Sequence, residues 1–401
     1  MSILPLVVVL ILRSVVLAAD IVVTVPPGTC PHEAEPEFGV ALVATRNRVL
    51  VGANADLCRQ AHVFNARTGA LVRTLASPTP DAPGNFGSGV ATAGKHLLVS
   101  APGVGQAYLF DGKTGALRQT FANPDTSADT SFGTRLAGTP TRVAVRATSF
   151  DATTGETHHA VHVFDAASGA LVRTLTLAAP GLGVEFGRGI AALGDELVVG
   201  APGFCVGFAC DGSPGAAYVL DPDTGAIRLT LTAPTPVVGD EFGATVANLG
   251  HNVLVAATGP RGHAGTVYLF NGHDGRLLQR FSNPAAPDER CFGCALAGRA
   301  RKVFVGSPSF HSEFDPGPIF GAAYIFDART GRLRATLVGT QDNGGFGTAV
   351  ALLRNRTAVA EPDLENNCLE AGGVHLAAHP GATSRTARGR APRGVTSRPR
   401  P

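Results

Sequence analysis

The sequence contains no tryptophan, one methionine and four tyrosines, and charged residues make up only 16% of its 401 positions. It also lacks the G-x-S-x-G, H-E-x-x-H and phosphate-cradling glycine motifs, so it offers none of the short signatures of serine hydrolases, zinc peptidases or nucleotide-binding enzymes. After residue 19, no apolar run approaches the length of a membrane span. What remains informative is its 50 glycines and 21 phenylalanines.

A Phe-Gly dipeptide opens seven repeats and is followed each time by a short apolar strand. Successive copies lie 48, 46, 54, 56, 50 and 54 residues apart, a spacing typical of propeller blades. Each copy leads to a second apolar strand, a third of the form Y-L-F-D, a T-G turn and a fourth strand ending in T-L. The sequence therefore predicts an all-β fold, a seven-bladed β-propeller over residues 20–380. The seven copies begin at Phe38, Phe86, Phe132, Phe186, Phe242, Phe292 and Phe346.

The seventh repeat has no fourth strand, because the chain turns instead into an arginine-rich segment. Residues 21–25 form an apolar, β-branched strand that belongs to no repeat of its own. We therefore predict that this N-terminal strand completes blade 7 and closes the ring, which would remove an exposed sheet edge.

All four tyrosines fall at one position of the third strand, and three histidines take that position in the remaining blades. A ring with a polar tip suits a site that is packed at one end and polar at the other. We interpret the histidines as substitutes for tyrosine, and the alternative is a metal ligand. The positions are Tyr108, Tyr218, Tyr268, Tyr324, His62, His162 and His375.

The two ends of the chain differ from the repeats. Residues 1–19 join an apolar run to Ala18 and Ala19, which predicts a signal peptide cleaved after one of them. The alternative is a membrane anchor, although Arg13 interrupts the segment. Residues 381–401 hold six arginines and no acid, and predict a disordered tail or, alternatively, an electrostatic tether to an anionic surface polymer.

These end assignments fix the expected location and exclude one class of partner. Without both ends, 26 cations face 31 anions, a net charge of about −5, so we expect no nucleic-acid partner. The protein is predicted to be secreted or on the cell surface, with no membrane span after signal cleavage.

The seven Phe-Gly units with Gly-Ala-Pro steps resemble the FG-GAP repeats of the integrin alpha-chain propeller and its bacterial secreted relatives. The best copies are Glu185-Phe186-Gly187 with Val199-Gly200-Ala201-Pro202, and Phe86-Gly87 with Val99-Ser100-Ala101-Pro102. The resemblance covers roughly residues 20–380 and implies an extracellular binding module. It also implies calcium in the hairpins between first and second strands.

Those first hairpins do not match a calcium site here. None combines three acids, as oxygen-only coordination of Ca²⁺ needs, and several are cationic. We therefore expect no metal and no cofactor. The segments concerned are Thr45-Arg46-Asn47-Arg48, Gly94-Lys95-His96, Gly194-Asp195-Glu196, Gly250-His251-Asn252 and Arg299-Ala300-Arg301-Lys302.

Six phenylalanines lie outside both the Phe-Gly steps and the core strand positions. All fall in long loops between second and third strands, which leave the same side of the ring as the Phe-Gly loops. They either pack within their own loops or form an aromatic patch for an extracellular protein or glycan. This candidate partner-binding set is Phe150, Phe204, Phe208, Phe310, Phe314 and Phe320.

We interpret the chain as a non-enzymatic binding propeller, against two alternatives. One is an extracellular glycan-active lyase or hydrolase, for which the loop residues to consider are His158, His159, His311, Glu313 and Asp315. The pattern Y-x-F-D-x-x-T-G is also similar to that of quinone-dependent dehydrogenase propellers, but their repeats carry a docking tryptophan that is missing here. The other alternative is a self-associating surface scaffold.

Seven cysteines in an exported chain indicate disulfides with at least one thiol left over. Cys205 and Cys210 bracket part of one loop and are predicted to pair. Cys291 and Cys294 have C-x-x-C spacing, which is compatible with zinc, redox activity or a bridge. Any two of Cys30, Cys58 and Cys368 could pair.

Overall fold

The computed structural model describes most of the repeat region. The described residues are 21–26, 38–53, 59–80, 82, 84–125, 130–177, 184–203, 205–206, 209–210, 214–259, 265–285, 291–308, 320–341, 344–363, 365–366, 369–370 and 372–379. The predicted signal peptide and the arginine-rich tail lie outside them.

The described chain forms seven four-stranded antiparallel sheets. Together they make the seven-bladed β-propeller that the repeat predicts. Blade 1 contains β2 (Phe38–Ala44), β3 (Arg48–Ala53), β4 (Gln60–Asn65) and β5 (Leu71–Ala76). Blade 2 contains β6 (Val90–Ala93), β7 (His96–Ala101), β8 (Gln106–Phe110) and β9 (Leu117–Ala122). Blade 3 contains β10 (Thr130–Gly138), β11 (Arg142–Asp151), β12 (Glu156–Asp165) and β13 (Leu171–Leu175).

The later blades repeat this arrangement. Blades 4 to 7 contain β14 (Ile190–Leu193), β15 (Glu196–Ala201), β18 (Ala216–Leu220), β19 (Ile227–Leu231); β20 (Phe242–Leu249), β21 (Asn252–Ala257), β22 (Thr266–Phe270), β23 (Leu277–Ser282); β24 (Ala295–Arg299), β25 (Lys302–Ser307), β26 (Ala322–Asp327), β27 (Leu333–Val338); β28 (Val350–Leu352), β29 (Arg356–Glu361) and β32 (Gly373–Ala378) with β1 (Ile21–Val23).

Two short hairpins and one 3₁₀ turn decorate the loops. They are β16 (Cys205–Val206) with β17 (Ala209–Cys210), β30 (Glu365–Asn366) with β31 (Leu369–Glu370), and Pro102–Val104. Among the described residues, no helix is long and apolar enough to cross a membrane.

The Phe-Gly step anchors each blade to the next. Each phenylalanine is buried, and in blade 5 the Phe242 ring packs edge-on against Phe270 with centroids 6.0 Å apart. The glycines that follow have φ between 84° and 105°, a region that side chains with a Cβ rarely adopt. The Gly-Ala-Pro step needs glycine for a different reason, since a Cβ on Gly200 would collide with the carbonyl oxygen of Gly243 in the next blade.

The tyrosine and histidine positions are equivalent in the sheets. Each lies opposite a valine of the second strand, as in the pairs Val51 with His62 and Val99 with Tyr108. The His62 ring nitrogen Nδ1 bonds the Thr74 hydroxyl at 3.1 Å. In blade 7 the equivalent His375 bonds the fully buried Glu361 at 2.7 Å.

The N-terminal strand closes the ring. β1 pairs antiparallel with β32, with Ile21 opposite Leu376 and Val23 opposite Val374. Val23 is 5% exposed and belongs to the core cluster between blades 7 and 1. Ile21 packs directly on the T-G turn of blade 1, where a Cβ added to Gly69 would collide with the Ile21 side chain. One strand thus joins the two ends of the repeat array.

The ring has two faces. The Phe-Gly face carries the loops between second and third strands and the connections between blades. The T-G face carries the hairpins between first and second strands and the T-G turns. The first strands surround a central cavity of about 390 Å³.

Candidate functional site

The central cavity is formed by seven equivalent strands, β2, β6, β10, β14, β20, β24 and β28. Its lining is mostly Ala, Val, Leu and Gly, and Arg299 is the one ionisable side chain among the described lining residues. Within the described residues there is also no group of three or more His, Cys, Asp or Glu side chains able to hold a metal ion. The residues described around the axis therefore do not bring together the acids and histidine that the glycan-active alternative requires.

The hairpin of blade 3 is the most prominent described feature of the Phe-Gly face. Its strands β11 and β12 have ten residues each, whereas the second and third strands of the other blades have five or six. Four additional residues extend a strand by about 13 Å. The sequence forms a tight tip, in which the Asp151 carboxylate accepts the Thr153 backbone N–H at 2.8 Å and the Asp151 backbone carbonyl accepts the Gly155 N–H at 2.7 Å. The Thr154 backbone N–H also donates to the Asp151 carboxylate, and the two bonds from Thr153 and Thr154 lower the pKa of this carboxyl.

Phe150 lies next to this tip, opposite Thr157, and is 49% exposed. Two further apolar side chains, Val237 and Val238, are similarly exposed in the connection from β19 to β20. By the strand directions, this connection belongs to the same face. The described part of the face thus combines a projecting aromatic residue with an exposed valine pair.

A charged network joins blades 4 and 5 beside the hairpin. Arg188 pairs with Glu185 at 3.1 Å and with Glu241 at 3.6 Å, and the Thr258 hydroxyl donates to Glu241 at 2.7 Å. Because the acids precede two Phe-Gly steps, one arginine ties neighbouring loops together. Both carboxylates are therefore engaged by a cation, which suits a fixed polar surface better than general acid–base chemistry.

Blade 3 contributes a second polar contact to this area. Arg146 lies 3.3 Å from the Nδ1 atom of His159. Burial lowers the pKa of Arg146, and burial followed by the Arg146 charge lowers the pKa of His159. A lowered histidine pKa keeps the His159 ring neutral at neutral pH, so this ring adds polarity but no charge to the surface.

The predicted site residues are placed as follows. Phe150 is exposed and Phe320 is half-buried, while Phe204, Phe208, Phe310 and Phe314 lie outside the described residues. Of the residues considered for catalysis, His158 is exposed and His159 faces Arg146, and His311, Glu313 and Asp315 lie outside the description. Sequence reasoning missed the valine pair and the Arg188 network, although Glu before Phe-Gly at three repeats was a visible signal.

Four of the seven cysteines are described, and they form one disulfide and one aligned pair. Cys291 and Cys294 are bridged, with Cα atoms 5.5 Å apart, so the C-x-x-C spacing belongs to a local crosslink around the buried Phe292. Cys205 lies opposite Cys210 in the β16–β17 hairpin, and their disulfide remains a prediction. Cys30, Cys58 and Cys368 lie outside the described residues.

Comparison with known proteins gives one family match and a set of similar structures. The sequence model of the family described as outer membrane protein assembly factor BamB matches residues 157–379, more than half of the chain. No curated protein matches.

The structural matches are distant in sequence. The crystal structure of the β-propeller domain of Myceliophteria thermophila Cps50 (Swd1) is 14% identical, with 90% of this chain and 100% of that chain covered and a TM-score of 0.57. BamB from Moraxella catarrhalis is 14% identical, with 85% of each chain covered and a TM-score of 0.43. At such identity, the likeness to Cps50 establishes the propeller fold alone.

Proposed function

The chain belongs to the family described as outer membrane protein assembly factor BamB, and we propose on this premise that it is a non-enzymatic scaffold holding a protein partner on its Phe-Gly face. The comparisons do not support the integrin-like FG-GAP assignment, because the match is to a different propeller family. What persists from that resemblance is the seven-bladed ring and the expectation of a binding module.

The exposed Phe150 on the long blade 3 hairpin is the observation that favours this function. Ten-residue strands lift the side chain away from the ring, where a partner can cover it on several sides. Burial of a phenylalanine contributes about 1.5–3 kcal/mol, so Phe150 with one or two neighbours is sufficient for specific binding. The Val237–Val238 pair supplies apolar area of the same kind on the same face.

We propose that the protein is exported and that its partner is a protein of the cell envelope. The signal-like segment at residues 1–19 and the family's description both favour this location. A glycan partner, the other class expected from the sequence, gains no specific support from the described residues. The same holds for the self-associating scaffold.

A photo-crosslinking amino acid at position 150 tests the proposal directly. The matched control places it at Leu117, which is 45% exposed on the outer strand β9. We expect the position-150 variant to crosslink a defined envelope protein, identified by mass spectrometry, and the position-117 variant to miss it. Phe150→Ser should then weaken binding of that purified partner by about tenfold or more.

The remaining phenylalanines are tested by a triple variant. Replacing Phe208, Phe310 and Phe314 by serine should also abolish capture while preserving the fold. Loss of thermal stability without loss of partner binding would assign these residues to loop packing. Identical crosslinking from positions 150 and 117 would overturn the proposed binding face.

A further inference from the structure

The opposite face of the ring carries a basic pocket where blades 6, 7 and 1 meet. Three hairpins between first and second strands border a cavity of about 600 Å³. The side chains that line it and can bind an anion are Arg46, Arg299, Lys302, Arg354 and His379. None of the described residues lining this cavity is acidic. An adjoining cavity of about 350 Å³ shares Arg46 and Arg354 and adds Arg67 and Arg356.

The charge on the T-G face is unevenly compensated. In blades 3 and 4, Arg142 pairs with Asp165 at 2.8 Å and Arg228 pairs with Glu196 at 2.6 Å. Within the part of the chain that the structure describes, Arg46, Arg299, Lys302 and Arg354 form no ion pair with a carboxylate. Four positive charges therefore converge on one cavity without protein counter-charges.

His379 adds a buried, unpartnered polar atom to this pocket. It is 7% exposed, and its Nε2 atom has no hydrogen-bond partner among the described residues. Its backbone N–H donates to the Asn355 carbonyl at 3.1 Å, which fixes it beside the blade 7 hairpin. A buried ring nitrogen without a partner is costly, and His379 lines the cavity, where an anion would favour the protonated ring that can donate to it.

The electrostatics of the pocket agree with this geometry. Burial, then the charge of Lys302 and that of Arg299, lower the pKa of His379 to about 4, and a hydrogen bond to the Arg356 backbone acts in the opposite direction. Burial also lowers the pKa of Lys302. An anion in the cavity would stabilise the protonated forms of His379 and Lys302, because its negative charge offsets the mutual repulsion of the cations.

We propose that the pocket of Arg46, Arg299, Lys302, Arg354 and His379 binds a ligand that carries two or more phosphate groups. Guanidinium groups bind phosphate oxygens in a bidentate manner, and three arginines around one cavity exceed what a single carboxylate can engage. The chain continues from His379 into residues 381–401, whose six arginines add cations after the pocket. Either a soluble oligophosphate or lipid headgroups would supply this chemistry.

Calorimetric titration of the full chain with sodium tripolyphosphate tests the proposal. We expect saturable binding that weakens with added salt. The variant Arg299→Ser with Arg354→Ser should bind at least about tenfold more weakly, because each loses a charge-assisted hydrogen bond. The matched control, Arg118→Ser with Arg276→Ser, removes two exposed arginines from blades 2 and 5 and should bind within about twofold of the original chain.

Two further arms identify the ligand source and the class of anion. Flotation with phosphatidylcholine vesicles containing about one-fifth cardiolipin, a lipid whose headgroup carries two phosphates, distinguishes lipid headgroups from a soluble ligand. Binding in either arm that depends on Arg299 and Arg354 supports the proposal. Absence of binding in both arms overturns it, as does equal loss in the control variant or equal affinity for citrate. If the double variant still binds tripolyphosphate, the arginine-rich tail rather than the pocket attracts the phosphates, and this result also overturns the proposal.

Discussion

Replacing Val23 by aspartate should open the ring at the seam between blades 7 and 1. Val23 lies in the short edge strand β1, where it packs with Phe38 and Val374 in one core cluster. Burial of a valine contributes about 1.5–3 kcal/mol, and an unpaired carboxylate in its place adds a desolvation cost of at least about 2 kcal/mol. The expected loss of about 4 kcal/mol or more is a large part of the 5–15 kcal/mol that is typical of a folded protein.

Val22 provides a matched control for this substitution. It is the adjacent residue of the same strand, but its side chain is 44% exposed. Val22→Asp therefore introduces the same charge on the opposite side of β1 without entering the core. We expect its unfolding free energy to lie within about 0.5 kcal/mol of the original value.

Urea unfolding followed by far-ultraviolet circular dichroism measures both effects. Val23→Asp should lower the midpoint strongly, and deletion of residues 20–25 should lower it further. Size-exclusion chromatography with light scattering should show association of the deletion variant, because β32 then presents an unpaired edge. Equal midpoints for Val22→Asp and Val23→Asp, or an unchanged melting temperature after the deletion, would refute strand closure.

Three further predictions concern two buried side chains and the disulfide. Burial lowers the pKa of His62 from 6.5 to about 4, so its neutral form stabilises the fold fully above pH 6.5, and about 3 kcal/mol of unfolding free energy is lost as the pH falls to 4. His62→Tyr introduces the residue found at this position in four other blades, and it should flatten the fall of the urea midpoint with pH. An unchanged pH profile would contradict this prediction. Glu361→Ala should cost about 3 kcal/mol by leaving His375 buried without its partner, whereas Glu361→Gln should cost clearly less; equal unfolding midpoints would show that the hydrogen bond is unimportant. Cys291→Ser with Cys294→Ser should cost about 2 kcal/mol for so short a loop, and alkylation of both thiols without a reductant, detected by mass spectrometry, would show that no bridge exists.

The ring and its closure could be predicted because both follow from the repeat pattern of the sequence. Seven Phe-Gly steps at a blade-sized spacing fix the number of blades. A seventh repeat without its fourth strand, together with a spare β-branched segment at residues 21–25, leaves one arrangement that pairs every strand. The buried phenylalanine seen at Phe242 recurs in each unit, and the close approach at Gly200 recurs at Gly52 and Gly306, so much of the packing repeats with the sequence.

The basic pocket could not be predicted in the same way. Its hairpins belong to blades 6, 7 and 1, so Arg46 and Arg354 are neighbours only after the ring has closed. The net charge of the repeat body, about −5, conceals this cluster because acids such as Glu196 compensate arginines in other blades. The cationic character of the hairpins was visible in the sequence, but it was used only to exclude calcium.

The candidate site on the Phe-Gly face was partly predictable. Phe150 was selected because it lies in a long loop, and the structure places it on a ten-residue strand with its side chain exposed. The Arg188 network depends on contacts between consecutive blades, which a repeat period does not specify. Val237 and Val238 were missed because apolar residues near a strand end are indistinguishable by pattern from core positions.

The pairing of β1 with β32 also orders the events of folding. Each blade forms from neighbouring strands joined by short turns, whereas the seam joins Ile21 to Leu376 across about 355 residues. Bringing together chain ends at that separation costs about 2–3 kcal/mol more entropy than closing a 20-residue loop. Six blades can therefore form as the chain emerges, but the ring stays open until its last strand is available. During that interval the earliest strand of the chain stays unpaired, because its partner β32 is the last strand of the array.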